Sequence, residues 1–171
     1  YLVDSEGEFY FMEMNTRLQV EHPVTELVTG VDIVQEQLRI ASGLSLRFSQ
    51  EEVRLVGHAI EARINAEDSD NDFKPCPGAV SLYFPPAGKG VRVDSHVYGG
   101  YEIPSAYDSM IGKLIVQRED RAEAVQALRR ALQEYVIEGV KTTVPFHLRV
   151  LSNHQFRRGQ ITTSFVEDYF T

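Results

Sequence analysis

The 171-residue sequence has one cysteine and no tryptophan. A single thiol cannot close an intrachain disulfide, so the stapled framework of small secreted domains is excluded and the fold must rest on an apolar core. Basic residues are also in short supply, with 17 Lys and Arg against 25 Asp and Glu and a net charge of −8. That is the wrong sign for a sequence-blind nucleic-acid binder, which neutralises phosphates with surplus cations. A nucleotide screened by a divalent cation stays admissible. No apolar run approaches the roughly 20 residues that span a bilayer, and the N-terminus lacks the basic-then-apolar order of a signal peptide. A starting methionine is absent, and "YLVDSEGEFYFM" reads as strand, Gly-containing turn and strand. The expectation is a fragment of a longer soluble protein from the cytoplasm or an organelle interior such as a mitochondrion or plastid.

What is present is 43 % hydrophobic residues, enough to bury the core of one ordinary domain, or of one domain with a piece of another attached. Residues 8–14 alternate and are rich in aromatic groups, as in a strand, and Pro23 predicts an extended chain as far as His22. Leu27, Val31, Val34, Leu38 and Ala41 then recur every three or four residues, one apolar stripe along a helix that Asp32 can cap and Gly43 can end. The polar stretch "LSLRFSQEEVRLVG" is a natural boundary. After it, "GHAIEARINAED" sets Glu61, Arg63, Asn65 and Glu67 against Ile60, Ala62, Ile64 and Ala66, the pattern of a half-buried strand. Further strands are predicted around Val80, Leu82 and Phe84, in "VRVDSHV" and in "IGKLIVQ". Asp120 with Glu123 marks the start of a helix carrying Ala122, Val125, Leu128, Leu132 and Tyr135 inward, with Gly139 past its end. "TVPFHLRVLS" predicts another short helix. The order of elements is that of an α+β fold, with antiparallel strands and flanking helices.

Glu13, Asn15, Arg17, Gln19 and Glu21 occupy alternate positions and point the same way from an extended chain. The solvated side of an edge strand would look similar. This row differs in offering an acid and an amide oxygen two residues apart, hard donors that suit Mg2+ with water and phosphate completing its shell. Arg17 supplies a planar fork for a small oxyanion, and Glu21 a general base for its proton. Metal ligands, anion clamp and base in that order suit in-line phosphoryl transfer to a small oxyanion. Arg63 is the lone Lys or Arg of its strand, and a salt bridge to Glu61 or Glu67 would account for it on the strand pattern alone. Other features read as structural. "AGKG" at 87–90 lacks the Gly spacing and the Ser/Thr of a phosphate loop, and His22, His58 and His96 lack metal-ligand spacing. Asp108 and Lys113 suit a buried pair that shapes the fold.

"EMNTRLQVEHPVTE" together with "GHAIEARINAED" resembles the biotin carboxylase family, the ATP-grasp component of acetyl-CoA, propionyl-CoA and methylcrotonyl-CoA carboxylases. The likeness continues through "GYEIPSAYDSMIGKLIV" and "EGVKTTVPF". It implies that residues 1–44 end an ATP-grasp domain and that 45–171 form the biotin carboxylase C-terminal domain. It also implies formation of carboxyphosphate from ATP and bicarbonate, followed by carboxylation of N1′ of biotin on a biotin carboxyl carrier domain. A carboxyltransferase component would act downstream, and the assembly would be a homodimer. Residue by residue, Glu13 and Asn15 fall on ligand positions for Mg2+ or Mn2+. Arg17, Gln19 and the backbone of Val20 fall on bicarbonate contacts, Glu21 on the base, and Arg63 on the cation that stabilises the biotin enolate. The family's Gly-rich phosphate lid, adenine-side lysines and first metal-binding Glu are not among these residues. The expectation is therefore the bicarbonate and biotin side of a site, without ATP turnover by the chain alone. Thr16 stands where pyruvate carboxylases have Pro, which tilts the resemblance toward acyl-CoA carboxylases. Two alternatives are another ATP-grasp ligase, of carbamoyl-phosphate or purine-pathway type, which needs no Arg63, and a non-catalytic domain that binds a carrier.

Overall fold

At the centre of the computed structural model, which describes residues 1–170, lies a three-stranded antiparallel sheet with helices on both faces. The chain opens with a hairpin of β1 (Leu2–Val3) and β2 (Phe9–Tyr10), turned by Asp4, whose Oδ1 accepts the Glu6 and Glu8 amides. Helices α1 (His22–Thr29) and α2 (Ile33–Ala41) follow, and then the long strand β3 (His58–Asn65). Short strands β4 (Glu67–Asp68), β5 (Lys74–Pro75), β6 (Gly78–Ala79) and β7 (Leu82–Phe84) lead to β8 (Val91–Ser95). Next come β9 (Glu102–Ile103), β10 (Met110–Arg118), α3 (Arg121–Glu134) and β11 (Val136–Glu138). Helices α4 (Val144–Ser152), α5 (His154–Arg158) and α6 (Phe165–Phe170) end the described chain. The expected α+β arrangement is what the structure has.

The central sheet runs in the order β3–β10–β8, and its register sorts the side chains by face. Ile60, Ala62 and Ile64 share one face with Leu114, Val116, Val91 and Val93. Helix α3 lays Ala124, Leu128, Ala131 and Leu132 against them, all almost inaccessible. Each fully buried Leu or Ile there contributes about 2 kcal/mol relative to exposure. The other face carries Glu61, Arg63, Lys113, Ile115, Gln117, Arg92 and Asp94, and α1 packs on it.

Several expectations change. The stripe from Leu27 to Ala41 is two helices, because Gly30 adopts a left-handed φ of 72° and returns its N–H to the Glu26 carbonyl, closing α1. Asp32 then caps α2 by accepting the Gln35 amide at 2.8 Å. The chain is not extended up to His22: α1 begins there, and Pro23 sits in the first turn, where a missing N–H leaves no bond unmade. Of the aromatic stretch 8–14, only Phe9–Tyr10 pairs as strand. Helix α3 ends at Glu134, and the residues after it pair with β7. Gly139 follows that strand at a φ of 99°, where a Cβ would fall 2.1 Å from the Ala79 carbonyl oxygen. Ala122 is exposed, and Ala124 and Ala127 take the inward positions. In β7 the inward residue is Tyr83, hydrogen-bonded to Tyr135, while Leu82 and Phe84 face out. Asp108 and Lys113 form no buried pair: Asp108 is exposed and accepts the Met110 amide, and Lys113 turns toward the start of α1.

Candidate active site

On the face beneath α1, the register sets Arg63, Lys113 and Asp94 in one row across the three strands, and Glu61, Ile115 and Arg92 in the next. Cross-strand neighbours stand roughly 5 Å apart, so charges distant in sequence converge. The start of α1 meets this surface. Arg63 Nη2 donates to Glu21 Oε2 at 2.9 Å, and Lys113 Nζ donates to the Val20 carbonyl at 3.0 Å. Arg92 Nη1 donates to Glu26 Oε2 at 2.7 Å, while its Nε and Nη2 form a fork on Asp94. Gln117 Nε2 donates to the carbonyls of Leu27 and Val56. Helix α1 is thus tied to the sheet along its length, and its first residues inherit a fixed position.

The ion pairs in this face differ in what they can do. Glu26 is almost buried beside Arg92, and the hydrogen bonds from Arg92 hold the Asp94 carboxyl below its usual range. That group is a clamp. Glu21 and Arg63, in contrast, are 58 % and 52 % exposed. An ion pair so wetted contributes about 0.5 kcal/mol, so a polar guest can part it. A carboxylate and a guanidinium side by side at an open edge can take a proton from one guest and steady negative charge on another.

Arg63 pairs with neither Glu61 nor Glu67. Glu67 accepts from Asn65 Nδ2 and Ser109 Oγ instead. Glu61 shares the Arg63 face, and its Oε2 is buried with no hydrogen-bond partner among the described residues. Burial pushes the Glu61 carboxyl up, against the pull of Lys113 and Arg63. The backbone of Arg63 is held separately, its carbonyl accepting from Thr143 Oγ1 at 3.1 Å and from His147 Nε2 at 2.8 Å.

The earlier part of the row lies in the open. Asn15 Nδ2 donates to Glu13 Oε1 at 3.2 Å, and among the described residues the amide oxygen and the second carboxylate oxygen have no hydrogen-bond donor, on two exposed side chains. That donor set fits a hard divalent cation whose shell is completed by water and phosphate. Arg17 is exposed, donates to the Leu18 carbonyl at 3.3 Å, and makes no ion pair with Glu21 among the described residues. The Gln19 carbonyl accepts from the His22 amide and ring. The structure therefore joins Glu21, Val20 and Arg63 around the start of α1 and leaves the Arg17 fork turned to its own backbone. Lys113, Arg92 and Asp94 escaped the sequence reading as members of this face. Their parity in "IGKLIVQ" and "VRVD" was visible, but only strand register aligns them with Arg63.

Residues 61–168 match the family described as Biotin carboxylase C-terminal domain, and residues 1–49 that described as Carbamoyl-phosphate synthase L chain, ATP binding domain. The chain is 60 % identical to a biotin carboxylase of Nostoc sp. over 168 residues, 98 % of this chain and 38 % of that one. It is 59 % identical to a pyruvate carboxylase subunit of Methanothermobacter thermautotrophicus, over 96 % of this chain and 34 % of that one. Among solved structures, the biotin carboxylase domain dimer of Hydrogenobacter thermophilus 2-oxoglutarate carboxylase was determined in complex with MgADP, ADP and bicarbonate. It matches with a TM-score of 0.94 at 50 % identity, covering 97 % of this chain and 37 % of that one. The chain spans roughly a third of the length of the curated relatives it matches.

Proposed function

The chain belongs to the biotin carboxylase family through its C-terminal domain, and on that premise we propose that it is the C-terminal part of a biotin carboxylase, an ATP-dependent ligase. The complete protein carboxylates carrier-bound biotin at N1′, using ATP and bicarbonate by way of carboxyphosphate. The observation that carries this reading is the Glu21–Arg63 contact, in which a base and a cation from elements 42 residues apart share one exposed edge.

Bicarbonate is a poor nucleophile. Glu21 takes its proton as the anion attacks the γ-phosphorus of ATP, and Arg17, the Gln19 side chain and the Val20 N–H hold the resulting dianion in line. Arg17 reaches it by leaving the Leu18 carbonyl, a long bond with which a bidentate anion competes well. Carboxyphosphate then releases CO2 and phosphate. As the ureido N1′ of biotin gives its proton to the released phosphate, charge moves to the ureido oxygen, where Arg63 stabilises it by about 3 kcal/mol before N1′ bonds to CO2. Glu13 and Asn15 would hold Mg2+ or Mn2+, which when bound neutralises phosphate charge.

We assign residues 1–44 to the end of the ATP-grasp domain and 45–171 to the C-terminal domain, a division supported by the matched ranges 1–49 and 61–168. The partners are a biotin carboxyl carrier domain, a carboxyltransferase component and a second copy, the last supported by the dimeric solved relative. The setting is the cytoplasm or an organelle interior. The identities of 60 % and 59 % to a biotin carboxylase and a pyruvate carboxylase subunit do not carry the tilt drawn from Thr16, and they suit a half-reaction that precedes the choice of acceptor.

The test is ATP cleavage by the complete protein. It should require bicarbonate and respond to biotin, and Glu21→Gln should lower it by about 10²- to 10⁴-fold, the range for loss of a general base. Bicarbonate-dependent cleavage indifferent to biotin would point to another ATP-grasp ligase, and no cleavage at all to a carrier-binding domain.

A further inference from the structure

We propose that His22 and Lys113 are positioning residues that clamp the two peptide planes flanking Val20, so that the Val20 N–H faces the bicarbonate site before the anion arrives. The inference rests on the functional reading above, in which the Val20 backbone contacts bicarbonate.

A trans peptide points its C=O and its N–H in opposite directions, and none of the described peptide bonds is cis. The plane joining Gln19 to Val20 therefore carries the Gln19 oxygen on one side and the Val20 N–H on the other. His22 Nδ1 lies 2.8 Å from that oxygen, and the His22 amide donates to it at 3.3 Å. A carbonyl only accepts, so Nδ1 carries a proton, and Nε2 is turned toward Glu26 Oε2 at 4.0 Å. Glu26 is in turn fixed by Arg92. The next plane, Val20 to Glu21, is gripped from another element. Lys113 Nζ donates to the Val20 carbonyl from 93 residues away and stands 3.6 Å from Asp94. With its side chain only 12 % exposed, the ammonium has little choice of partner. Two consecutive planes are thus held by side chains of unrelated origin, one rising from the sheet and one folded back from α1. Release of the first plane turns the Val20 N–H away from the anion, and release of the second frees the Val20 backbone dihedrals on which that direction depends.

The complete protein provides the test, with KM for bicarbonate and for MgATP measured separately in bicarbonate-dependent ATP cleavage. His22→Gln places an amide where Nε2 lies, and Lys113→Met removes the ammonium. Each should raise the bicarbonate KM roughly ten-fold, the effect of one lost hydrogen bond of this kind, with the MgATP KM within about two-fold of the parent. His22→Asn, whose amide nitrogen sits near the Nδ1 position, and Lys113→Arg should restore most of the loss. Unchanged bicarbonate KM in both variants would overturn the proposal. So would a proportional rise of both KM values with no rescue. If the parent itself shows no bicarbonate-dependent cleavage, the functional reading fails and the clamp with it. An active parent with indifferent variants removes the clamp alone.

Discussion

Replacing Arg63 with Gln separates the ion pair this residue makes in the structure from the catalytic role proposed for it. Its ion pair with Glu21 is 2.9 Å long, and both side chains are more than half exposed. Loss of the pair should cost about 0.5 kcal/mol of stability, a Tm change of about 2 °C at most in a protein of this size or larger. The strand should not move, because the Arg63 carbonyl is held by Thr143 and His147 whatever the side chain is. Catalysis is another matter: on the role proposed for Arg63, removing a cation that steadies the biotin enolate by about 3 kcal/mol should lower carboxybiotin formation by a factor of about 10². The assay compares carboxybiotin formation with ATP cleavage in the absence of biotin, both by the complete protein. The first should collapse while the second stays within about three-fold of the parent. Arg63→Lys should recover only part, since an ammonium keeps the charge and loses the fork. A parallel fall in both reactions, or a Tm loss of about 10 °C, would refute the division of roles.

Burial raises the Glu61 carboxyl above its ordinary 4.5, so the folded chain binds a proton that the unfolded chain releases. That stabilisation is complete below the ordinary value and lost as pH rises through the raised one; Glu61→Gln should therefore raise Tm at neutral pH and have little effect in acid. His147 shows the opposite sign. Burial lowers its pKa from 6.5, so its contribution is present above that value and lost as pH falls through the lowered one. His147→Gln, with an amide near the Nε2 position to serve the Arg63 carbonyl, should flatten the acid side of the Tm–pH curve. Gly139→Ala should cost about 3 kcal/mol or more, seen as a large fall in Tm, because the new methyl would meet the Ala79 carbonyl oxygen at 2.1 Å in a left-handed backbone.

The parts of this molecule legible in its sequence are those set by local periodicity. Strand β3 could be read from the alternation of Ile60, Ala62 and Ile64 with polar neighbours, because one buried face enforces a period of two. The caps Asp32 and Asp120 were readable from side-chain chemistry alone. Gly30 was not, since the apolar stripe continues past it and its left-handed turn leaves no mark in the periodicity. Nor was the end of α3: Ile137 continues an apolar pattern that is in fact satisfied across a strand, by pairing with Tyr83. The site shows the same division. The row from Glu13 to Glu21 suggested metal, anion and base from residue type and spacing. That Glu21 would meet Arg63, and that Lys113 would reach Val20, depends on the register of β3 against β10 and on where α1 lands, both of which are long-range outcomes.

The central proposal is that carbon passes from bicarbonate to biotin at the edge shared by Glu21 and Arg63. Radiolabelled bicarbonate, MgATP and free biotin given to the complete protein test it in one step. Acid-labile label should appear on biotin only when ATP is present, and Glu21→Gln should abolish it. ATP consumed with no label on biotin, or label undiminished in Glu21→Gln, would contradict the account.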